Sequence, residues 1–158
     1  MKKLLLLILL IVTTLMFAVD LGVLAGTEIG GRQRTYIGVQ FGTTASLIGL
    51  SLDVYYPISF EELEEIEFED ITLVEFDPYL LLVIPLRDLK IYAGAAPILL
   101  LDLEEGGLGL YSDEVFHVKA GVKIGSGIAF TLEVLTTMTL DFMSTGIYAV
   151  TAGLGLSF

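Results

Sequence analysis

The chain has 158 residues, of which 54% are hydrophobic, and carries 8 Lys and Arg against 20 Asp and Glu for a formal net charge of −12. Its mean hydropathy is +0.81, and with so few bases it lacks the basic face a phosphate backbone demands, which excludes nucleic acid as a partner. It has no cysteine, which excludes disulfides, thiolate metal sites, a cysteine nucleophile and the lipid-acceptor cysteine of a bacterial lipoprotein.

The first element is a leader. Met1-Lys2-Lys3 is basic, residues 4–12 are unbroken aliphatics, and Leu15-Met16-Phe17-Ala18 ends on a small residue. This order of regions predicts a signal peptide over residues 1–18, cleaved after Ala18, with Ala25 as an alternative cleavage position. The apolar run is shorter than the roughly 20 residues a helical membrane span needs. Removing Lys2 and Lys3 leaves six bases against 20 acids, a net charge of −14, on a single domain of residues 19–158.

From residue 19 onward the side chains alternate with period two, the signature of strands that separate two environments. Eight strands are predicted, at 19–29, 34–42, 46–56, 71–86, 88–100, 114–124, 127–140 and 144–158. In the sixth, Phe116, Val118, Ala120, Val122 and Ile124 share one face and His117, Lys119, Gly121 and Lys123 the other. In the seventh, Ile128, Phe130, Leu132, Val134, Met138 and Leu140 oppose Thr131, Glu133, Thr137 and Thr139. Pro78 and Pro97 interrupt the fourth and fifth strands. Each removes a ladder donor, so a bulge, a register change or a break at Pro78 is expected there.

The connections alternate as well. The second (42–45), the fourth (around Arg87) and the sixth (Gly125-Ser126) are short, whereas the third (57–70) and the fifth (101–113) are long. In an up-and-down barrel odd connections share one rim, so every long loop falls at one end, as in outer-membrane barrels. Outward aromatics form two groups, Phe41, Phe130 and Phe158 near the short-turn rim and Tyr56, Phe76, Phe116 and Tyr148 near the long-loop rim. Rings prefer the membrane interface, so two such girdles bound an aliphatic band. The ionised strand residues Glu28, Asp53, Glu75, Asp77, Lys90, Lys119, Lys123 and Glu133 all take the inward face, with His117. A charge facing lipid at the midplane costs about 2–4 kcal/mol, which is the physical cause of that segregation.

The last strand reads Tyr148-x-Val150-x-Ala152-x-Leu154-x-Leu156-x-Phe158. It resembles the terminal strand of Gram-negative outer-membrane proteins, with Leu156 standing where many members have an aromatic. The overall plan resembles the small eight-stranded barrels of the OmpA/OmpX type. That resemblance implies an all-β, up-and-down antiparallel transmembrane barrel in the cell outer membrane. It also implies that the barrel-assembly machinery reads Phe158 as the terminal signal.

Eight strands enclose room for side chains alone, so the reading is a surface-exposed structural barrel with a plugged, charged lumen and no open pore. The expected partners are outer-membrane lipid and the assembly machinery. Glu61, Glu62, Glu64 and Glu65 crowd the third connection, a carboxylate density suited to divalent cations or a basic partner. No phosphate-binding glycine loop, zinc pattern or nucleotide motif is present, so no cofactor and no enzyme activity are expected. Two alternatives remain. One is a soluble periplasmic lipocalin-like carrier of an apolar ligand. The other is a rim-located lipid-modifying enzyme using His117 with a serine such as Ser112 or Ser144.

Overall fold

The computed structural model describes residues 18–30, 34–59, 73–104 and 106–158. Alternating polarity is satisfied by extended backbone, in which every second side chain shares a face. The strands are β1 (Ala18–Ile29), β2 (Arg34–Ala45), β3 (Ile48–Ser59), β4 (Leu73–Leu86), β5 (Leu89–Pro97), β6 (Leu99–Asp102), β7 (Gly107–Leu110), β8 (Val115–Ile124), β9 (Gly127–Thr139) and β10 (Ser144–Ser157). β6 continues β5 beyond Ile98, and both pair with β4. The ring therefore has eight positions, all antiparallel, and β10 pairs back onto β1 from Asp20↔Ser157 to Ile29↔Tyr148. Closure removes the free edge of the ring, and among the described residues β7, which pairs with β6 alone, is the strand left with an unpaired side.

Two connections differ from the sequence expectation. The turn expected at 42–45 lies at Ser46-Leu47, because β2 stays paired to β3 through Ala45↔Ile48. Gly42 serves the interior instead: a Cβ there would lie 3.4 Å from the Asp20 Cβ. Ser46 takes the left-handed backbone (φ 57°) that lets so short a turn reverse the chain, and Arg87 does the same (φ 53°) in the Arg87-Asp88 turn. The fifth connection, expected as a loop over 101–113, is largely the β6–β7 hairpin, paired from Leu99↔Leu110 to Asp102↔Gly107. The third connection lies outside the described residues from 60 to 72, as do residues 1 to 17, where a leader is expected from the sequence. Ala18 already begins β1, and Ala25 sits mid-strand between Ile37 and Ala152. Cleavage at the alternative position would strip residues 18–25 from the strand that closes the ring.

The prolines neither break β4 nor change the strand count. Leu80 pairs with Ala95 and Phe76 with Leu99 in one constant register, which sets Pro78 directly opposite Pro97. Backbone direction alternates along a strand, and two bonds fix it here. The Val83 N–H donates to Leu47 O on the β3 side, and Ile98 O accepts from Tyr111 N–H on the β7 side. Pro78 and Pro97 therefore turn their nitrogens toward each other. Two apparent defects coincide at one pair of ladder positions, and no register shift is needed.

Polarity runs opposite to that of a water-soluble barrel. Leu82 is 71% exposed, Ile128 70% and Leu154 57%, while Lys119 and Glu133 are buried at 0% and 1%. Phe41, Phe130, Tyr148 and Phe158 are exposed on the same outer surface as the aliphatics. Monomers in water rarely expose contiguous apolar patches beyond a few hundred Å². This whole exterior is such a patch, which fits lipid as its solvent.

Candidate functional site

The interior is the only environment in which so many ionised side chains could be sequestered, and they sort by height into clusters. At the short-turn end, Lys90 Nζ lies 3.2 Å from Asp20 Oδ2 and 3.3 Å from Ser157 Oγ. Lys123 Nζ approaches the same Asp20 oxygen at 3.5 Å and donates to Gln40 Oε1 at 3.4 Å. A cavity of about 20 Å³ is bounded by Asp20, Gln40, Lys90, Tyr92 and Lys123, room for one water.

At mid-height Lys119 reaches Asp53 Oδ2 and stands 3.3 Å from Glu133 Oε1. Its ammonium lies 4.1 Å from the Tyr79 ring centroid, a cation–π contact in a site from which water is excluded. Glu133 accepts from Tyr92 Oη (2.7 Å), Gln40 Nε2 (3.0 Å) and Thr151 Oγ1 (3.2 Å). Asp53 accepts from Ser51, from Tyr55 Oη at 3.1 Å and from Gln40 at 3.2 Å. Gly121 makes this arrangement possible, since a Cβ there would lie 2.8 Å from both Tyr92 Oη and Glu133 Cγ.

Toward the long-loop end, Arg34 holds Glu28 Oε2 through Nε (3.1 Å) and Nη2 (3.0 Å), and Tyr36 Oη donates to the same oxygen at 3.0 Å. Beside them, His117 Nδ1 lies 2.7 Å from Asp77 Oδ2 and 3.7 Å from Glu75 Oε1. Tyr79 Oη donates to Asp77 Oδ2 at 3.1 Å.

Every interior residue singled out from the sequence thus faces inward: Glu28, Asp53, Glu75, Asp77, Lys90, His117, Lys119, Lys123 and Glu133. Asp20 was missed, although it shares even parity with Glu28 along β1. Phe158 sits at the chain end with an exposed ring, its backbone bonded to Val19 in both directions at 2.9 and 3.2 Å. Glu61, Glu62, Glu64 and Glu65 lie outside the described residues. The serines considered for His117 are engaged elsewhere. Ser112 Oγ accepts from the Glu114 N–H at 3.0 Å, and Ser144 Oγ is 3.1 Å from Tyr148 Oη.

A closed ring of eight antiparallel strands, ionised inside and aliphatic outside, has the fold of a small transmembrane β-barrel. Solved structures similar to it include a de novo designed transmembrane β-barrel (TM-score 0.60, 10% identity, covering 89% of this chain and 95% of that one). The N-terminal β-barrel domain of Pseudomonas aeruginosa OprF gives a TM-score of 0.58 at 12% identity, over 89% of this chain and 97% of that one. Neisserial surface protein A gives 0.56 at 13%, over 90% and 97%. At these identities the likeness is one of fold. No protein-family model matches the chain, and no curated protein sequence matches it.

Proposed function

We propose that this protein is a structural barrel of the bacterial outer membrane, with a filled interior that conducts no solute and a long-loop rim that presents acid to the outside. The observation that carries this reading is the paired interior. Four Lys and Arg reach carboxylates within 3.5 Å, and tyrosines, Gln40 and threonines occupy the space between them. A buried charge is tolerable only when paired and hydrogen-bonded, so the packing that stabilises the barrel also closes it. Asp113 and Glu114 are exposed where the chain enters β8, adding negative charge to the long-loop rim. Phe158 is the proposed signal to the assembly machinery, and outer-membrane lipid the proposed partner of the exterior.

The enzyme alternative is opposed by the position of His117, which is 5% exposed and turned toward Asp77. The carrier alternative requires an apolar interior, and this one holds charge. Membrane fractionation combined with migration on unheated detergent gels tests the proposal. Outer-membrane recovery and a fast-migrating folded band are expected, and release from membranes by salt alone would overturn it. Single-channel recording in planar lipid tests the filled interior. A stable open conductance would refute that part.

A further inference from the structure

The interior charges do not balance evenly along the barrel. Asp20 is served by Lys90 and Lys123, Asp53 and Glu133 by Lys119, and Glu28 by Arg34. Among the described residues, these four carboxylates and four cations cancel. That leaves Glu75 and Asp77, two buried carboxylates whose shared basic neighbour is the His117 imidazole. Their shortfall also shows atom by atom. Glu75 Oε1 and Asp77 Oδ1 are buried without a hydrogen-bond partner, although their residues are 4% and 0% exposed. A buried carboxylate oxygen left without a partner costs the full desolvation penalty of the group, so these two atoms point to a partner not yet accounted for.

The local architecture gathers donors. Glu75 and Asp77 are two apart on β4 and therefore share the inward face. β5 lies between β4 and β8 and pairs Ala96 with His117, a one-carbon side chain that leaves the imidazole room to reach Asp77. One donor atom from each of Glu75, Asp77 and His117 lies within 4.8 Å of the others. A tetrahedral ion with donors about 2.1 Å away holds them about 3.4 Å apart. The His117 Nδ1 to Glu75 Oε1 separation of 3.7 Å is close to that spacing, and the 2.7 Å contact of Nδ1 with Asp77 Oδ2 is a hydrogen bond that an ion would replace. The Tyr79 hydroxyl donates to Asp77 Oδ2, the oxygen that also meets His117, which orients the carboxylate as an outer group orients a metal ligand and leaves Oδ1 as its unpartnered oxygen.

We propose that Glu75, Asp77 and His117 form a binding site for one divalent transition-metal ion inside the barrel, near its acidic mouth. Two carboxylates and a neutral imidazole balance a divalent charge. The nitrogen donor selects zinc-like ions over calcium and magnesium, which prefer all-oxygen shells. Asp113 and Glu114 at the rim raise the local cation concentration beside the start of β8. The site concerns the interior alone, so a barrel found in another membrane but still binding the ion would leave this proposal standing.

The test is Co²⁺ titration of the full chain folded in detergent, read by the visible absorption of the bound ion, with excess Mg²⁺ present to occupy surface carboxylates. Folding is checked by migration of unheated samples. The expected result is one Co²⁺ per barrel, displaced by equimolar Zn²⁺. His117→Ala and, separately, Asp77→Asn should weaken binding at least tenfold while the folded band persists. The combined loop variant Glu61→Gln, Glu62→Gln, Glu64→Gln and Glu65→Gln should leave it unchanged. A folded wild-type barrel that takes up no Co²⁺ overturns the proposal, as does binding lost in the loop variant or kept in Asp77→Asn.

Discussion

Lys119 on β8 ties itself to Asp53 on β3, across the barrel interior and three positions around the ring, with neither side chain exposed to solvent. The contact makes one ammonium the partner of two carboxylates, since Glu133 on β9 shares it at 3.3 Å. Removing that cation leaves two negative charges buried together, and breaking a buried pair typically costs about 3–5 kcal/mol. Lys119→Met is therefore expected to lower the urea midpoint of the folded band sharply. Adding Asp53→Asn and Glu133→Gln to it should recover most of the loss. Equal midpoints for the wild type and Lys119→Met would show that the interior charges do not hold the barrel.

The facing prolines offer a second measurement. Pro78→Ala supplies one N–H directed at Pro97 O, completing half of the missing ladder pair. The added bond contributes about 0.5–1.5 kcal/mol. The freer unfolded chain takes back about 0.4–1 kcal/mol. Net stability should thus move by less than about 1 kcal/mol. Hydrogen exchange is the sharper readout: the new amide at position 78 should be as protected as those of Leu80 and Leu82. Rapid exchange there would mean that the β4–β5 seam stands open.

Much of this fold is legible in the residues because a barrel wall has only two faces. Glu75 with Asp77, and Lys119 with Lys123, each fix the parity of their strand, and the aliphatics between them confirm it. Pairing is not legible in the same way. Parity gives a face but not a height, and strand tilt decides which charges meet, so Lys119 finds Asp53, three strands around the ring, as well as Glu133 on the neighbouring strand. Glycine misleads for a related reason. Gly42 reads as a turn residue but sits within β2, where it leaves room beside Asp20. Gly106, Gly107 and Gly109 read as a loop, yet Gly107 and Gly109 pair in the β6–β7 hairpin. The opposed prolines show the same limit, for their coincidence depends on register rather than on composition.

Gly121 allows the mid-height cluster to assemble, and its backbone requires no unusual φ. The constraint is space alone. Gly121→Val places branched carbon where Tyr92 Oη and the Glu133 side chain meet, and also against Leu132 O at 2.9 Å. Overpacking of this kind costs typically about 1–3 kcal/mol, and losing the Tyr92–Glu133 bond adds to it. The expected variant folds with a lowered urea midpoint, and adding Tyr92→Phe to it should cost less than it does in the wild type. Full additivity of the two changes would show that they do not act on the same contact.

The exterior gives the most direct test of lipid as the solvent. Leu132 lies near the middle of β9 with its side chain on the outer surface, 44% exposed, one residue before the fully buried Glu133. On a soluble barrel an exposed Leu→Arg change is close to neutral, within about 0.5 kcal/mol, and improves solubility. At the midplane of a bilayer the same change costs about 2–4 kcal/mol. Leu132→Arg refolded into phosphatidylcholine vesicles should therefore lose that much stability in urea, whereas an arginine at Ser46, on the turn beyond the strand ends, should cost almost nothing. The contrast depends on depth and not on chemistry, because both substitutions introduce the same charge. Equal behaviour at the two positions, with the protein free in buffer, would mean that the aliphatic face meets water or another protein and not lipid.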